Sequence, residues 1–589
     1  MNNPIEYYEE HVNVYKAEVK ACQKSMVSLS LLRLTVFVLC GLAIYFFFHI
    51  WQVAVIIGLV GVIVFVKLLS RYTDVKQEKA FYEALVKINE EEIQIASGNF
   101  HDRNNGLQYQ DPTHFYSLDI DLFGRGSFFQ FIDRTTIHEG AYKLSALLKA
   151  NSIKGIPQRQ EAIKELSRDT KWRQFYAATS SLVSVETPAK EIISWLKGYK
   201  MFLPTIAKWL PIGFIATTIL LFVFAVTNLI DASIIGWWLF VGLAMTARYV
   251  KTINILSLKV DKVKDTFRQY SLLLKLIEDA TFTSELLQEK QEKIKSDTKK
   301  ASTIFKELSR ALDALDNRNN IIGAIFGNGY FLTDIKNSYR IEQWINTYAH
   351  KVEDWFEVVS FFDAYNALGN YAYNHPKFKY PEITTEDIVI NAEKLGHPLL
   401  NETKRVDSDI VINSEQFFIV TGANMAGKST FLRTVSLHIV MANVGLPVCV
   451  AKSKYRPVKL ITSMRTTDSL TDDSSYFFSE LTRLKFIVDT ITKEPYFIVL
   501  DEILKGTNST DKAMGSKKFV EKLVASKATG IIATHDLSLC EIEEQLSAVK
   551  NYYFDAEIIN DELHFDYKLK KGICQNMNAS FLLKKMEIV

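Results

Sequence analysis

Residues Thr421–Thr430 read TGANMAGKST, and this stretch decides the fold of the C-terminal part of the chain. It meets the pattern G-x-x-x-x-G-K-[ST] through Gly422, Gly427, Lys428 and Ser429. The glycines let backbone N–H groups turn inward on phosphates, and the start of a following helix adds its positive dipole end. Lys428 is expected to reach the β- and γ-phosphates, and the Ser429 hydroxyl to bind magnesium. The stretch therefore predicts a nucleotide site.

The flanking residues supply the strand–loop–helix context that such a loop needs. Gln416–Val420 (QFFIV) is a short apolar run that predicts a buried strand, and KSTFLRTVSLHIVMA, which starts at Lys428, predicts a helix. We therefore expect the whole loop to contact the nucleotide. Its residues are Gly422, Ala423, Asn424, Met425, Ala426, Gly427, Lys428, Ser429 and Thr430.

Two later apolar runs end in polar side chains of the kind that this chemistry uses. Tyr496–Glu502 (YFIVLDE) predicts a strand after which Asp501 can hold the metal through water and Glu502 can orient or deprotonate the attacking water. Thr529–Asp536 (TGIIATHD) predicts another strand, with His535 placed to sense the γ-phosphate. Alone, either pattern is more often structural; beside the phosphate loop, both favour function. The candidate catalytic residues are Lys428, Glu502 and His535.

Together these segments resemble the MutS family of mismatch-repair ATPases. The Asn-Met pair between the loop glycines is similar to that family's phosphate loop, and ATHD to its histidine strand. Asp501–Asp511 (DEILKGTNSTD) resembles its Walker B segment. Asp468–Lys485 (DSLTDDSSYFFSELTRLK) resembles its signature loop, with Ser475, Phe477 and Glu480 on the matching positions.

The resemblance implies a slow ATP hydrolase that binds ATP or ADP, with Mg²⁺ held by Ser429 and Asp501. It also implies that Ser475 reaches the γ-phosphate of a partner subunit, so we expect a homodimer through the ATPase domains. Asp473 stands where the family usually has a glycine, which bears on the geometry of the signature loop. His397, in the segment GHPLL, matches the approach to the nucleotide where the purine is usually flanked.

Upstream segments resemble the helical levers of the same family more loosely. Gly126–Leu148 and Ile156–Leu166 are similar to the start of the lever domain, and Trp355–Ala372 to its long return helix. No segment before the levers resembles the mismatch-reading domains, since Asn99–Asp102 (NFHD) is not their Phe-x-Glu wedge. The closing segment YKLKKGICQNMNASFLLKKM resembles the family's last strand and helix, without a following helix-turn-helix.

Long apolar runs separate these segments. Leu34–Val66 carries no charged side chain, and one straight helix of that length would measure about 50 Å against a hydrocarbon core of about 30 Å. We therefore expect two spans that turn near Phe48–Gln52. A second pair follows at Trp209–Ile230 and Ser233–Ala247. These runs lack the polar stripe of soluble core helices, which favours four membrane spans over four buried helices.

The flanking charges predict how the spans are oriented. Lysines and arginines lie before and after each pair, and neither tip carries one. The positive-inside rule then places the ATPase domain and both termini in the cytoplasm of a multi-pass protein of the cell (inner) membrane. The spans contain no Asp, Glu, Lys or Arg, which argues against an ion path. We interpret them as anchors in the lipid bilayer.

The composition excludes several other classes. The chain has 589 residues with 69 Lys and Arg against 67 Asp and Glu, so the total charge predicts no dominant nucleic-acid surface. Its 5 cysteines form no CxxC pair, so we expect neither a disulfide framework nor a zinc site, and a reducing compartment. The first twenty residues contain no apolar segment typical of a secretory signal.

Two functions stay open at this point. The first is a membrane-anchored MutS-like ATPase in which dimer closure moves the levers and hairpins. The alternative is a mismatch-repair-type ATPase, held at the membrane, that binds mismatched or branched DNA. The basic tract Glu289–Arg310 could serve DNA, but its alternating charges favour an exposed helix. An ABC-type transporter is a third interpretation, which the lack of an LSGGQ-like signature disfavours.

The sequence therefore predicts a multi-domain protein: a mostly α-helical membrane and lever region, then a C-terminal P-loop α/β ATPase domain of the ABC-like, MutS type. The expected boundaries are 1–27 for a cytoplasmic helix, 28–70 for the first transmembrane hairpin, 71–200 for a linker and first lever part, 201–250 for the second hairpin, 251–380 for the second lever part and 381–589 for the ATPase domain.

Overall fold

The computed structural model describes residues 3–183, 187–295, 299–316, 318, 320–465, 476–559 and 562–574. Helices make up the secondary structure before residue 375, and two sheets with their helices follow, which confirms a mostly helical first part and a C-terminal α/β part. The helices of the first part are α1 (Pro4–Phe46), α2 (Trp51–Ala96), α3 (Phe128–Ile132), α4 (His138–Lys149), α5 (Ile156–Arg168), α6 (Thr170–Ser181), α7 (Ala189–Gly198), α8 (Leu210–Val226), α9 (Ser233–Ala247), α10 (Val250–Asp279), α11 (Glu285–Glu292), α12 (Ala301–Asp316), α13 (Ile321–Phe331) and α14 (Thr333–Asn374).

The first apolar run lies inside a pair of much longer helices. α1 has 43 residues and α2 has 46, so each measures about 65–70 Å at 1.5 Å per residue. The chain turns at residues 47–50, next to the expected turn. The apolar window of each helix is not buried inside the protein. The opposite, polar ends of both helices pack on the lever helices, so α1 and α2 join the apolar tip to the rest of the molecule.

The second apolar pair is shorter than the first. α8 has 17 residues, about 26 Å at 1.5 Å per residue, and α9 meets α10 at a bend of 70°. Among the described residues, two helices, α1 and α2, are long and apolar enough to cross a membrane, or three if α9 and α10 form one span. The expectation of four full-length spans thus becomes two or three, with α8 and α13 as shorter apolar helices. The sequence analysis did not predict α13.

Helix α14 is the central helix of the lever region. Its 42 residues are buried almost without a break from Trp355 to Tyr371, where α4, α5, α6 and α10 pack around it. Leu144, Ile163, Phe267 and Leu368 are each fully buried in this core. Such burial of apolar side chains on several helices at once is the main term that holds the levers together.

The C-terminal part contains two sheets and their helices. A four-stranded sheet has the order β1-β5-β2-β3, and a six-stranded sheet has the order β10-β9-β4-β8-β7-β6. In the larger sheet β9, β4, β8, β7 and β6 run parallel, and β10 is antiparallel at the edge. The elements are β1 (Glu382–Ile383), β2 (Ile388–Leu395), β3 (Ser408–Asn413), β4 (Phe417–Gly422), α15 (Lys428–Val444), β5 (Lys452–Tyr455), β6 (Lys459–Ser463), α16 (Tyr476–Ile491), β7 (Tyr496–Asp501), α17 (Ser509–Ala525), β8 (Thr529–Ala533), α18 (Ile542–Gln545), β9 (Val549–Ile559) and β10 (Glu562–Lys571).

The basic tract 289–310 is not one exposed helix, as the sequence analysis had expected. It is divided between the end of α11 and α12. α12 buries one face, which includes Ile304, Phe305 and Leu308, against α10 and α14. Lys290 and Lys300 lie in ion pairs with Glu357 and Asp279. The burial and the ion pairs explain why this tract presents no continuous basic stripe within its described residues.

A buried carboxylate ties the first hairpin to the levers. Glu92, near the end of α2 and 4% exposed, accepts hydrogen bonds from Arg134 Nε at 2.5 Å, from Asn370 Nδ2 at 2.9 Å and from Asn374 Nδ2 at 2.8 Å. Tyr8 of α1 donates to Asn374 Oδ1 at 2.7 Å. Burial alone would raise the pKa of Glu92, but the charge and hydrogen bond of Arg134 outweigh it, so the pKa is lowered. This contribution to stability is present above the usual pKa and is lost as the pH falls below it.

Glu92→Ala should destabilise the packing of the C-terminal end of α2 on the lever helices, because it leaves the Arg134 guanidinium buried without its carboxylate partner. Removal of one member of a buried pair costs about 3 kcal/mol or more. Hydrogen exchange of the last three turns of α2 should show a loss of protection of that size. Glu90→Ala is the matched control, since Glu90 pairs with Lys16 in solvent and such pairs contribute about 0–1 kcal/mol. Equal effects of the two substitutions would contradict the assignment.

Candidate nucleotide site

The larger sheet brings the predicted site residues to one edge. β4, β8 and β7 are parallel neighbours, with Val420 opposite Ala533 and Ala533 opposite Asp501. The carboxyl ends of parallel strands meet at the same edge, where ligands bind in open α/β sheets. Residues that are more than seventy positions apart in sequence, such as Ser429 and Asp501, thereby come into contact.

The phosphate loop depends on its two glycines. Gly422 has φ +149° and its α-carbon faces β9 so closely that a Cβ would lie 2.7 Å from the Phe554 carbonyl oxygen. Gly427 has φ +105° and immediately precedes α15. Met425 also has a positive φ, 66°, and its side chain is 80% exposed. Of the other loop residues, Ala426 is buried and Asn424 is exposed. The loop thus turns its backbone, rather than its side chains, toward the start of the helix.

Lys428 lies folded into the loop. Its Nζ donates to the carbonyl oxygens of Gly422 at 2.8 Å and Ala423 at 3.0 Å, and lies 3.3 Å from His535 Nε2. Burial lowers the pKa of Lys428, while the carboxylates of Glu502 and Asp501 act in the opposite direction. The ammonium group is therefore poorly solvated and close to where a phosphate-binding loop holds its ligand.

Ser429 and Asp501 form the candidate magnesium site. The Ser429 hydroxyl donates to Asp501 Oδ2 at 2.6 Å. Within the described part of the chain, no group of three or more His, Cys, Asp or Glu side chains could hold a metal by itself. A hydroxyl with one carboxylate fits Mg²⁺, which binds through few protein oxygens and completes its shell with phosphate oxygens and water. The predicted metal residues thus fit this ion.

Glu502 is held directly beside His535. Its Oε1 lies 2.7 Å from His535 Nε2, and its backbone N–H donates to the Ala533 carbonyl at 2.9 Å. Glu502 adopts φ 49°, a conformation that a non-glycine residue keeps only where the surroundings enforce it. The hydrogen bond with His535 lowers the pKa of Glu502 to about 2, against the effect of burial, so the carboxylate is ionised at neutral pH.

The signature segment is described only from residue 476, so the predicted Ser475 and Asp473 lie outside the described residues. Glu480, near the start of α16, is 3% exposed. Its carboxylate accepts from the backbone N–H groups of Leu504 at 2.6 Å and Lys505 at 3.0 Å. Phe477 packs so closely on Gly506 that a Cβ there would lie 2.9 Å away. The start of α16 and the turn after β7 therefore support each other.

Comparison with known proteins identifies the same region. A family model described as MutS domain V matches residues 418–585. MutS protein homolog 4 of Homo sapiens is 33% identical over 207 residues, 34% of this chain and 21% of that protein. DNA mismatch repair protein MutS of Aquifex pyrophilus is 34% identical over 190 residues, 31% of this chain and 22% of that protein. The protein of the same name from Methanococcoides burtonii is 32% identical over 219 residues, 36% of this chain and 24% of that protein.

Residues 418–585 are therefore similar to domain V of the MutS family. The matched region spans less than a quarter of the length of each of these curated relatives. The resemblance to the MutS family predicted from the sequence is confirmed for this C-terminal part of the chain. The individual roles of the site residues stay predictions, which the geometry above makes specific.

His397 lies close enough to Arg433 of α15 to feel its charge. Its Nδ1 accepts from the Leu399 N–H at 3.3 Å, which closes a turn. Burial, with a smaller effect of the neighbouring charge of Arg433, lowers the pKa of His397 to about 4. Arg433 follows Ser429 by one turn of α15, so the imidazole lies beside the helix rather than within the hydrogen-bonded loop. Its role beside a purine stays a prediction.

Tyr567 is a site residue that the sequence analysis missed. It has φ 53° in β10, next to a break in the register with β9. A Cβ on Gly427 would lie 3.2 Å from Tyr567 Cδ1, and the tyrosine side chain is 45% exposed. An aromatic ring over the end of the phosphate loop can stack on a planar ligand. The only sequence signal for Tyr567 is an interruption of the alternating apolar and polar residues in the C-terminal β-hairpin.

Glu502→Gln should retain ATP binding and slow hydrolysis by about 10²–10⁴-fold, the usual scale for loss of a general base. The amide preserves the size of the side chain but cannot take a proton from water. Single-turnover hydrolysis and equilibrium nucleotide binding measure the two effects separately. Glu544→Gln, at an exposed position, is the control and should change neither. Hydrolysis at the parental rate in Glu502→Gln would show that another group is the base.

Proposed function

We propose that this chain is a membrane-anchored MutS-like ATPase that couples nucleotide-driven dimer closure to movement of its levers and apolar hairpins. The observation that carries the proposal is the continuous core between the levers and the nucleotide site. Leu144 of α4 and Ile163 of α5 belong to the same buried cluster as Leu432 and Val435 of α15. Because packed interiors deform little, a displacement of α15 must be passed to the lever helices.

A charged link supports the same coupling. Asp121, in the segment before the levers, pairs with Arg433 of α15 at 2.9 Å and with Arg465 at 2.7 Å. Arg465 lies three positions before the signature segment Asp468–Lys485. Asp119, two positions before Asp121, accepts from the Arg465 N–H at 2.9 Å and from the Thr462 hydroxyl at 2.5 Å. The segment that leads into the levers thus holds both the phosphate-loop helix and the approach to the signature residues.

The proposed reaction is hydrolysis of ATP to ADP and inorganic phosphate. Mg²⁺, held by Ser429 and Asp501, would neutralise charge on the β- and γ-phosphate oxygens. Lys428 donates to the same oxygens, and Glu502 takes the proton that the attacking water loses. The contact with His535 makes Glu502 a weak base. We therefore expect slow turnover that quickens when the nucleotide draws His535 away.

Membrane attachment is the second part of the proposal. The apolar parts of α1 and α2 expose large side chains such as Phe37, Phe46, Trp51 and Ile63, each more than 60% exposed. Water would disfavour so large an apolar surface, whereas a bilayer accepts it. The flanking lysines and arginines then orient a multi-pass protein of the cell (inner) membrane, with the ATPase domain and both termini in the cytoplasm.

A mismatch-repair-type function is the second candidate, and the similarity to proteins named DNA mismatch repair protein MutS favours it. It would place mismatched or branched DNA between the levers. The division of the tract 289–310 into two helices with ion-paired lysines disfavours a phosphate-binding stripe there. We therefore rank DNA binding below membrane anchoring for this chain.

The deciding measurement is ATP turnover by the purified full-length chain in detergent and in lipid nanodiscs, each with and without duplex, mismatched or branched DNA. We expect turnover to change several-fold between detergent and nanodiscs and to be insensitive to DNA. Asp121→Asn should reduce the difference between detergent and nanodiscs, because it weakens the link to α15. Asp102→Asn, at an exposed position in the same region, should retain it. Stimulation by mismatched DNA without any effect of lipid would favour the second candidate.

A homodimer with shared sites makes a further test possible. If Ser475 serves the nucleotide of the partner subunit, Lys428→Ala and Ser475→Ala chains should each be inactive alone. A mixed dimer would contain one site with both defects and one intact site, so mixing should restore part of the turnover. Co-purification through two different tags confirms that mixed dimers form. Mixed dimers without activity would contradict shared sites.

A further inference from the structure

The segment from Arg318 to Asp334 leaves the lever helices and returns to them, and it is uncharged between these two ends. No charged side chain lies between Arg318 and Asp334, and the segment contains α13. The large apolar side chains that α13 exposes are Ile321 (74%), Ile322 (70%), Phe326 (51%), Phe331 (44%) and Ile325 (41%). Ile321 with Ile325, and Ile322 with Phe326, are spaced i, i+4 and lie on one face of the helix, so α13 presents an apolar face away from the protein.

The two ends of this segment, Arg318 and Asp334, form an ion pair with each other. Arg318 Nε lies 3.1 Å from Asp334 Oδ2, and Arg318 Nη1 donates to Asn254 Oδ1 of α10 at 2.6 Å. The segment therefore leaves and returns on the same side of the second hairpin. The charged pair Arg318–Asp334 thus lies next to the apolar surface of α13.

α13 packs against the hairpin through contacts that require small residues. A Cβ on Gly242 of α9 would lie 2.3 Å from the Gly329 carbonyl oxygen and 2.7 Å from that of Asn328. A Cβ on Gly329 would lie 2.6 Å from Leu239 Cγ. Close backbone approach at glycine is the usual way in which helices pack in a membrane, where lipid provides little hydrophobic drive for association.

The polar groups at the break between α13 and α14 find partners inside the protein. Asn328 Oδ1 accepts from the Asp334 N–H at 2.9 Å. The Thr218 hydroxyl donates to the Tyr330 carbonyl at 3.0 Å and accepts from Trp238 Nε1 at 2.8 Å. Water would satisfy such groups on an ordinary surface. Internal partners are what a helix break needs where the surroundings are hydrocarbon.

We infer that α13 is a re-entrant membrane helix, with lipid acyl chains covering its apolar face. Its 11 residues measure about 16 Å, roughly half of a hydrocarbon core of about 30 Å. α13 therefore enters one leaflet and turns back beside α8 and α9, whose exposed surfaces it continues. The inference rests on the membrane anchoring proposed above. The re-entrant helix α13 would lie beside the second hairpin and would connect α14, the central lever helix, directly to the bilayer.

Spin-label accessibility in nanodiscs of phosphatidylcholine and phosphatidylglycerol tests this. Nitroxides are attached singly at Ile322→Cys on α13, Leu220→Cys on α8 and Lys306→Cys on α12, in full-length chains that also carry Cys40→Ala. The readout is the ratio of collision rates with O₂, which partitions into lipid, and with a water-soluble nickel chelate. We expect this ratio at Ile322 to match that at Leu220 and to exceed that at Lys306 several-fold.

Each other outcome overturns a different statement. A lipid-like Leu220 with an Ile322 that resembles Lys306 would overturn the re-entrant helix and leave the anchoring intact. A label at Ile322 shielded from both reagents would mean that protein, such as a second copy of the chain, covers α13. A Leu220 that resembles Lys306 would overturn the anchoring itself.

A pair of alanine substitutions on α9 tests the contact that holds α13. Gly242→Ala should reduce the ratio at Ile322 several-fold, because the new methyl group would overlap the Gly329 carbonyl. Gly236→Ala is the matched control on the same helix, since its Cβ would meet nothing within 4 Å. An unchanged ratio in Gly242→Ala, or an equal loss in both variants, would contradict the proposed packing.

Discussion

The parallel register of β4, β8 and β7 is the constraint on which the rest of this structure depends. It places the ends of the three strands side by side, so that Lys428, Asp501, Glu502 and His535 share one small volume. The Lys428 ammonium group offsets part of the negative charge of the two carboxylates beside it. The same strands support α15, and through α15 the levers. A change of register would separate the chemistry and the mechanical connection together.

The charges at this edge also explain how one site can distinguish its states. Lys428 donates to the carbonyl groups of its own loop, and Glu502 contacts His535. These contacts satisfy groups that a triphosphate and a water molecule would otherwise engage. The proposed nucleotide binding would therefore exchange internal contacts for external ones, and only differences between those contacts can shift the conformation. The ion pairs of Asp121 with Arg433 and Arg465 lie next to the site, so such a conformational change would alter them directly.

The membrane location proposed for the apolar helices would impose a different constraint, because backbone groups in hydrocarbon need internal partners. α1 and α2 meet it by continuous helical hydrogen bonding, and the break after α13 meets it with Asn328 and Thr218. At their polar ends the first two helices rest on Glu92, Tyr8 and Asn374. α14 contacts both the hairpin foot and the second apolar cluster. It is therefore the element best placed to relate the two apolar regions to the C-terminal α/β domain.

The sequence by itself determined the phosphate loop, the strands that end at Asp501 and Ala533, the resemblance to the MutS family and the long apolar runs. Each depends on neighbouring residues: glycine spacing, an apolar run, a missing charge. Tertiary structure alone decided the roles of Asp121 and Tyr567, since each contacts residues far away in sequence and neither belongs to a local pattern. It also showed that Glu480 of the signature pattern binds the backbone of the turn after β7. It also decided that α8 and α13 are short and that the tract 289–310 is divided, because helix length depends on which neighbours a segment can pack against. Polar residues that bridge distant segments have no periodicity of their own, and only the folded chain shows them.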